Sequence, residues 1–179
     1  NFKDIERVLR FIQTGHYKIQ TLPIYVANVH TKNGIKKFFF LNDFVVERKS
    51  SRIIHSSVHI QDKKFCDISG DGLILSSSIG STGYAVSSGG SISYDCDDVL
   101  QLNPSNPVQS KAYQSLTKTV MFKDDNAITI FPSVKKKRSY RLVCDGNELK
   151  ESGVRFVEIK KSAYSARLLR SKEYDNTQN

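Results

Sequence analysis

The residues of this chain that invite a chemical reading run from Gly70 to Gly90: Gly70-Asp71-Gly72-Leu73-Ile74-Leu75-Ser76-Ser77-Ser78-Ile79-Gly80-Ser81-Thr82-Gly83-Tyr84-Ala85-Val86-Ser87-Ser88-Gly89-Gly90. An apolar strand runs out into glycines and hydroxyls, and Tyr84 to Ser88 then read as a short helix. Strand, glycine-rich turn and helix start together aim backbone N–H groups at an anion or a polar ring. Thr82 or Ser81 is expected to cap the helix, while Gly80 and Gly83 let a ligand approach the backbone closely. Asp71 offers an acceptor for a sugar hydroxyl, and Tyr84 offers a flat face for an aromatic base. The block is neither a Gly-Lys-Ser/Thr phosphate loop nor G-x-G-x-x-G. An ordinary serine- and glycine-rich connector reads from the same residues.

The elements that must hold this block are mostly strands. Phe2, Ile5, Val8, Leu9 and Ile12 recur at three- and four-residue steps, which predicts one amphipathic helix ending at Gly15. A β-rich run through Ile24–Val29 follows, and Lys32-Asn33-Gly34 turns the chain into a run over Ile35–Arg48. Val58–Ile60 and Lys64–Ile68 flank Gln61-Asp62-Lys63 as a hairpin, and Leu73–Leu75 is the short strand feeding the loop. Further strands are expected at Val99–Leu102, Thr119–Phe122, Ala127–Phe131, Ser139–Cys144, Val154–Ile159 and Ser165–Leu169. Many short strands separated by turns predict a mainly β, β-sandwich-like domain with a leading helix. The expected organisation is one domain over residues 1–170 and a polar, flexible tail over 171–179.

Composition narrows the partners. No apolar run approaches the roughly 20 residues that cross a bilayer as a helix. Three cysteines, Cys66, Cys96 and Cys144, have no metal-ligand spacing and read as reduced, half-buried strand residues of a cytoplasmic protein. Lys and Arg number 27 against 18 Asp and Glu, so the net charge of +9 favours anionic ligands. The basic residues fall in short clusters such as Lys135-Lys136-Lys137-Arg138, and each reads as a solvated turn or strand end as readily as a binding site.

The Asp71–Gly90 block resembles the signature of the NAD kinase family without a gap. That signature runs Asp-Gly, three aliphatic residues, Ser or Thr, then Thr-Pro-Thr-Gly-Ser-Thr-Ala-Tyr, and ends at Gly-Gly. Asp71-Gly72, Gly80-Ser81-Thr82, Tyr84, Ser87 and Gly89-Gly90 match residue for residue. Ser77 replaces Thr, Ser78 replaces Pro, Ile79 replaces a hydroxyl residue and Gly83 replaces Ala. Leu41-Asn42-Asp43-Phe44-Val45-Val46-Glu47-Arg48 resembles the family strand whose Asn and acidic residue meet the adenine and ribose of NAD, which implies Asn42 and Asp43 here. Cys144-Asp145-Gly146 resembles the later Asp-Gly turn that closes the site, although Asp145-Gly146-Asn147 is also a good turn whatever the function. The resemblance covers nearly the whole chain and thins at Pro104–Leu116, where Asn103-Pro104-Ser105-Asn106-Pro107 replaces a Pro/His-rich loop.

The resemblance implies an NAD-binding, β-sandwich-like domain of NAD kinase, with Asn42, Asp43, Asp71, Ile79, Thr82, Gly83, Tyr84, Ser87 and Asp145 against NAD. In the family a Gly-Gly-Asp-Gly-Thr loop on an N-terminal α/β domain binds ATP and supplies the base for the ribose 2′-hydroxyl; this chain contains no such loop. The expectation is therefore an NAD site that does not phosphorylate NAD alone, as part of a kinase using ATP with a divalent metal (Mg) and assembling as a homo-oligomer. The first residue being Asn1 rather than Met adds the expectation of a piece of something longer. Two rival readings are a non-catalytic dinucleotide-binding module and a basic nucleic-acid-binding β-domain using Lys36-Lys37, Lys63-Lys64 and Lys135–Arg138. The second leaves the Asp71–Ser87 block unexplained.

Overall fold

The structure is a computed structural model, describing residues 2–94, 96–111, 114–132 and 138–171. A leading helix, α1 (Phe2–Gln13), precedes β1 (Tyr17–Thr31), β2 (Gly34–Phe40), β3 (Asp43–Arg48), β4 (Ile54–Ile60), β5 (Lys63–Gly70) and β6 (Gly72–Ser77). A 3-10 turn (Ile79–Thr82) and a one-turn helix, α2 (Tyr84–Ser87), come next. The chain continues with β7 (Val99–Ser105), β8 (Val120–Lys123), β9 (Ile128–Pro132), β10 (Tyr140–Cys144), β11 (Asn147–Leu149) and β12 (Val154–Ser171). Two six-stranded antiparallel sheets result, ordered β2-β1-β12-β9-β4-β5 and β11-β10-β3-β6-β7-β8. The expected mainly β sandwich with one leading helix is what forms.

Period-two alternation builds the core. Tyr25, Ala27 and Val29 on β1 meet Phe44 and Val46 on β3, Leu73 and Leu75 on β6, and Leu100 and Leu102 on β7, all buried in one cluster with Ile128, Ile130, Val157 and Ile159. One polar tie crosses it: the buried Tyr25 hydroxyl donates to Asp124 at 3.0 Å, and Lys161 reaches the same carboxylate at 2.7 Å. Local turn chemistry agrees with the sequence. Gly15 closes α1 at φ +68°, and Gln61 and Asp62 both take positive φ in the β4–β5 hairpin. The apolar stripe of α1 is real but Ile5, Val8, Leu9 and Ile12 stand exposed.

Three expectations are corrected. The run Ile35–Arg48 is two strands in different sheets, β2 and β3, joined by the corner Leu41-Asn42. The strands expected at Val154–Ile159 and Ser165–Leu169 are one strand, β12, which pairs with β1 around a bulge between Pro23 and Tyr25. Cys96 is exposed outside any strand, whereas Cys66 and Cys144 lie in strands with thiols pushed by burial up to about 11 and about 12. Strand β7 also runs on through Pro104 to Ser105, which it can do because its β8 partner stops opposite Leu102 and leaves an open edge. The tail beyond Ser171 and residues 135–137 of the basic cluster lie outside the described residues.

Strand β6 is buried on both faces: Leu73 and Leu75 enter the sandwich core, while Ile74 on the other side packs with Val45, Val143 and Ala85 of α2. Leu75→Ala removes a fully buried side chain from this central strand and is expected to cost about 2–5 kcal/mol. Urea denaturation checks it, and an unchanged midpoint would contradict the packing.

Candidate functional site

The glycine- and serine-rich segment folds across the outer face of the β3–β6–β10 sheet, and its polar residues gather at two ends. The first end is the corner where β2 gives way to β3. Both carboxylate oxygens of Asp145 are used there by backbone N–H donors: Leu41 at 2.8 Å, Asn42 at 2.8 Å and Asp43 at 3.0 Å. Asp145 sits in the turn between β10 and β11 at φ +44°, and its own N–H donates to the Asp43 carbonyl at 3.0 Å. The carboxylate therefore ties two strands and a corner together through main-chain groups, a charge-assisted arrangement stronger than neutral pairing.

The 3-10 turn is seated on this corner. Ser77 Oγ donates to the Leu41 carbonyl at 2.6 Å, and Ser77 N–H donates to the Asn42 carbonyl at 2.9 Å. Gly80 lies so close that a Cβ there would stand 2.2 Å from the Asn42 carbonyl oxygen. A side chain is impossible without moving the corner. Gly83 has no such restriction, since an added Cβ meets nothing nearer than 3.4 Å. Asn42 is exposed, Ile79 half-buried, and Asp43 buried at 9% exposure.

The second end lies about 13 Å along β3, at four residues of roughly 3.3 Å each. Here Glu47 pairs with Gly72 in register, beside Asp71. Arg48 grips Asp71 through Nε to Oδ1 at 2.6 Å and Nη2 to Oδ2 at 3.3 Å, and Asn106 Nδ2 donates to Oδ2 at 3.0 Å. The Tyr84 hydroxyl reaches Glu47 Oε2 over a long 3.4 Å, and Arg141 Nε donates to Glu47 Oε1 at 2.8 Å. Burial and the Glu47 carboxylate raise the Tyr84 phenol, so it keeps its proton and donates at neutral pH. These residues line a cavity of about 420 Å³ between Asp71, Tyr84, Glu47, Arg48 and Asn106.

Thr82, Gly83 and Ser87 lie exposed on the segment that joins the two ends. Neither Thr82 nor Ser81 caps α2: the N-cap is Gly83, without a side-chain bond. Ser81 is fully buried and its Oγ accepts from Ser93 N–H at 3.0 Å, while Thr82 Oγ reaches back to the Ile79 carbonyl at 3.5 Å. The structure thus groups Asn42, Asp43 and Asp145 beside Ile79, groups Asp71 with Tyr84, and strings Thr82, Gly83 and Ser87 between them.

Several residues that matter here were not singled out by their types. Asn103, buried on β7, donates to the Ala85 and Ser88 carbonyls at 3.2 and 3.1 Å and so holds the end of α2. Gln101 clasps Ser91 in both directions, accepting its N–H at 3.0 Å and donating to its carbonyl at 2.9 Å. Arg48 and Asn106 hold Asp71. Arg48 closes the Leu41–Arg48 motif, which was its signal; the asparagines and Gln101 carry none in the sequence.

The sequence profile of the ATP-NAD kinase C-terminal domain matches residues 41–171. The chain belongs to that family. An NAD kinase of Finegoldia magna is 31% identical over 130 residues, covering 72% of this chain and 48% of its own length. An NAD kinase of Clostridium botulinum is 29% identical over 174 residues, covering 97% of this chain and 60% of its own. This domain therefore spans about half to three-fifths of the curated relatives it matches. Yeast NADH kinase complexed with NADH superposes with a TM-score of 0.80 at 18% identity over 97% of this chain and 50% of that one. An Archaeoglobus fulgidus NAD kinase in complex with ATP gives 0.73 at 19% identity over 97% and 62%. At these identities the two structures establish a shared fold.

Two outcomes follow for this ATP-NAD kinase C-terminal domain. Asp145→Ala strands three N–H groups at the corner and is expected to cost about 2–3 kcal/mol, read as a lower thermal midpoint. The carboxylates at the two ends should also differ in pH dependence. Burial first, and the Asp145 charge second, raise the Asp43 carboxyl. Its stabilising contribution is complete below the unfolded value of about 3.9 and is lost as pH rises through the folded value. Burial alone would raise Asp71 too, but hydrogen bonds from Asn106 and Arg48 and the Arg48 charge outweigh it and hold that carboxyl low. Its contribution is complete above about 3.9 and is lost as pH falls through the folded value. Unfolding followed from about pH 2 to 8 should show Asp43→Asn removing the loss on the rising side and Asp71→Asn removing the loss on the falling side. Identical profiles for both variants would contradict the assignment.

Proposed function

We propose that this domain supplies the NAD site of an NAD kinase, in which ATP phosphorylates the 2′-hydroxyl of the adenosine ribose of NAD to give NADP. The observation that carries the reading is the path of the Gly80–Ser87 segment. It lies over the outer face of one sheet, joins an acidic corner at Asn42-Asp43 to a cavity at Asp71 and Tyr84, and keeps Thr82, Gly83, Tyr84 and Ser87 exposed along the way. An elongated ligand with hydroxyls at intervals and flat rings suits such a track. Asn42, Asp43, Asp71, Ile79, Thr82, Gly83, Tyr84 and Ser87 are the proposed contacts, and Asp145 acts through the backbone it holds. Supporting the reading, a chain of this fold is complexed with NADH and another with ATP.

The residues of this chain bind and orient; none is assigned a proton transfer. Phosphoryl transfer depends on aligning donor and acceptor and on neutralising charge around the transferring group. The Gly-Gly-Asp-Gly-Thr loop that the family uses for this is not in the sequence, so the ATP site belongs to further sequence of a longer protein in this proposal. A divalent metal would travel with ATP and neutralise its phosphates. Among the described residues no group of three or more His, Cys, Asp or Glu is placed to hold one, and no ligand to it is assigned here.

The proposal includes a cytoplasmic homo-oligomer. A row of rings crosses the outer face of the β1–β12–β9–β4 sheet: His30 stacked on Phe156 at 4.0 Å, Phe156 tilted against Phe131 at 5.3 Å, and Phe131 tilted against His59 at 4.9 Å. An aromatic stripe on a sheet face suits packing against a second copy.

Calorimetric titration of the full chain with NAD tests the site. Asp71→Ala and Tyr84→Ala should each weaken binding about tenfold or more, as loss of a charged hydrogen-bonding partner or a stacking face does. Unchanged affinity in both variants would remove the site from this face. NAD binding by a whole protein that forms no NADP would leave a dinucleotide-binding module.

A further inference from the structure

The segment Asn103–Pro107, where the resemblance to the family thins, is the one that closes on Asp71. Gly70 permits it: a Cβ there would stand 2.7 Å from the Asn106 carbonyl oxygen, 2.8 Å from that of Ser105 and 3.0 Å from Pro107 Cα. Pressed against Gly70, the chain passes through Asn106 at φ +42°, a left-handed conformation that asparagine tolerates better than most residues. That backbone state delivers the side-chain amide to Asp71 Oδ2 at 3.0 Å. Asp71 N–H in turn donates to the Ser105 carbonyl at 3.0 Å, so main chain and side chain of the same loop both fix this aspartate.

An ionised carboxylate has about four acceptor positions. At Asp71 the described residues occupy three: Arg48 Nε on Oδ1, and Arg48 Nη2 and Asn106 Nδ2 on Oδ2. Without Asn106 the Arg48 fork alone holds the carboxylate, its contact to Oδ2 is the long one at 3.3 Å, and a second acceptor position opens on that oxygen. With it, the remaining acceptor position is confined to Oδ1. Glu47 and Lys49 line the same cavity, and both cations of the lining are already paired, Arg48 with Asp71 and Lys49 with Glu148, so a neutral donor suits the one open acceptor position of Asp71.

We propose that Asn106 is a positioning residue of this site, fixing the Asp71 carboxylate so that one acceptor position on Oδ1 faces a neutral O–H or N–H donor of the ligand. The proposal rests on the reading of this cavity as one end of the NAD site. It assigns a neutral donor to this end.

Two variants of the full chain separate the amide from the turn. Asn106→Gly keeps a residue at ease at positive φ and removes the donor. Asn106→Asp keeps a left-handed-tolerant residue and sets a second carboxylate against the first. The readouts are the thermal midpoint, the 13C titration of the Asp71 carboxyl (assigned by its loss in Asp71→Asn), and NAD affinity by calorimetry. Asn106→Gly should fold, titrate Asp71 at higher pH, and bind NAD about threefold to tenfold more weakly, the effect of one lost hydrogen bond. Asn106→Asp should raise the Asp71 titration further, and it carries the test if the glycine variant does not fold. An Asp71 titration unmoved in the folded variants overturns the proposal whatever NAD does. A moved titration with NAD affinity equal to that of the native chain overturns it too. A moved titration in a chain whose native form binds no NAD leaves Asn106 holding Asp71 and sinks the NAD reading instead.

Discussion

Where β2 leaves one sheet and β3 enters the other, three consecutive backbone N–H groups converge on a single carboxylate, that of Asp145. A chain that changes sheets in two residues cannot keep those donors in a ladder, and unpaired donors in a partly buried corner are costly. Asp145 resolves the conflict from a turn more than a hundred residues away in sequence. The Asn42 and Leu41 carbonyls are then free to face outward and receive the serine-rich segment, with Ser77 bonded to both and Gly80 pressed against one. Displace the carboxylate and the platform for the 3-10 turn goes with it.

The rest of the segment is held by burial on one side and polar clasps on the other. Ile74 and Ala85 make an apolar contact under α2, which is too short to be stable alone. Asn103 and Gln101, both buried on β7, take up main-chain groups at its far end. The track so formed is rigid beneath and polar above, as a site needs when its ligand contacts come from a loop.

Although the chain carries a net charge of +9, the two ends of the track are acidic. The three aspartates do different work because their surroundings differ. Asp43 is buried next to another carboxylate and is raised; Asp71 is paired with Arg48 and Asn106 and is lowered; Asp145 is given over to the backbone. Positive charge near the cavity is largely spoken for, with Arg48 on Asp71, Arg141 on Glu47 and Lys49 on Glu148.

Residue order by itself determined most of the strands and their hairpins, because alternating burial and turn chemistry are local properties: Gly15, Gly34 and the Gln61-Asp62 pair act within a few residues of where they stand. It also determined that Gly70–Gly90 is the segment of interest, and its match to a family signature could be read without coordinates. Which strands share a sheet was not local. The run Ile35–Arg48 is β-rich on both sides of Asn42-Asp43, and a polar pair can end a strand or sit on its open face, so the change of sheet at Leu41-Asn42 is decided only when Asp145 arrives. Nor could residue types separate a carboxylate held by distant side chains, as Asp71 is, from one held by three backbone N–H groups, as Asp145 is. Those distinctions, like the closing of Asn106 on Asp71 over a bare Gly70, are set by which distant backbone comes within 3 Å, and only the assembled sandwich decides that.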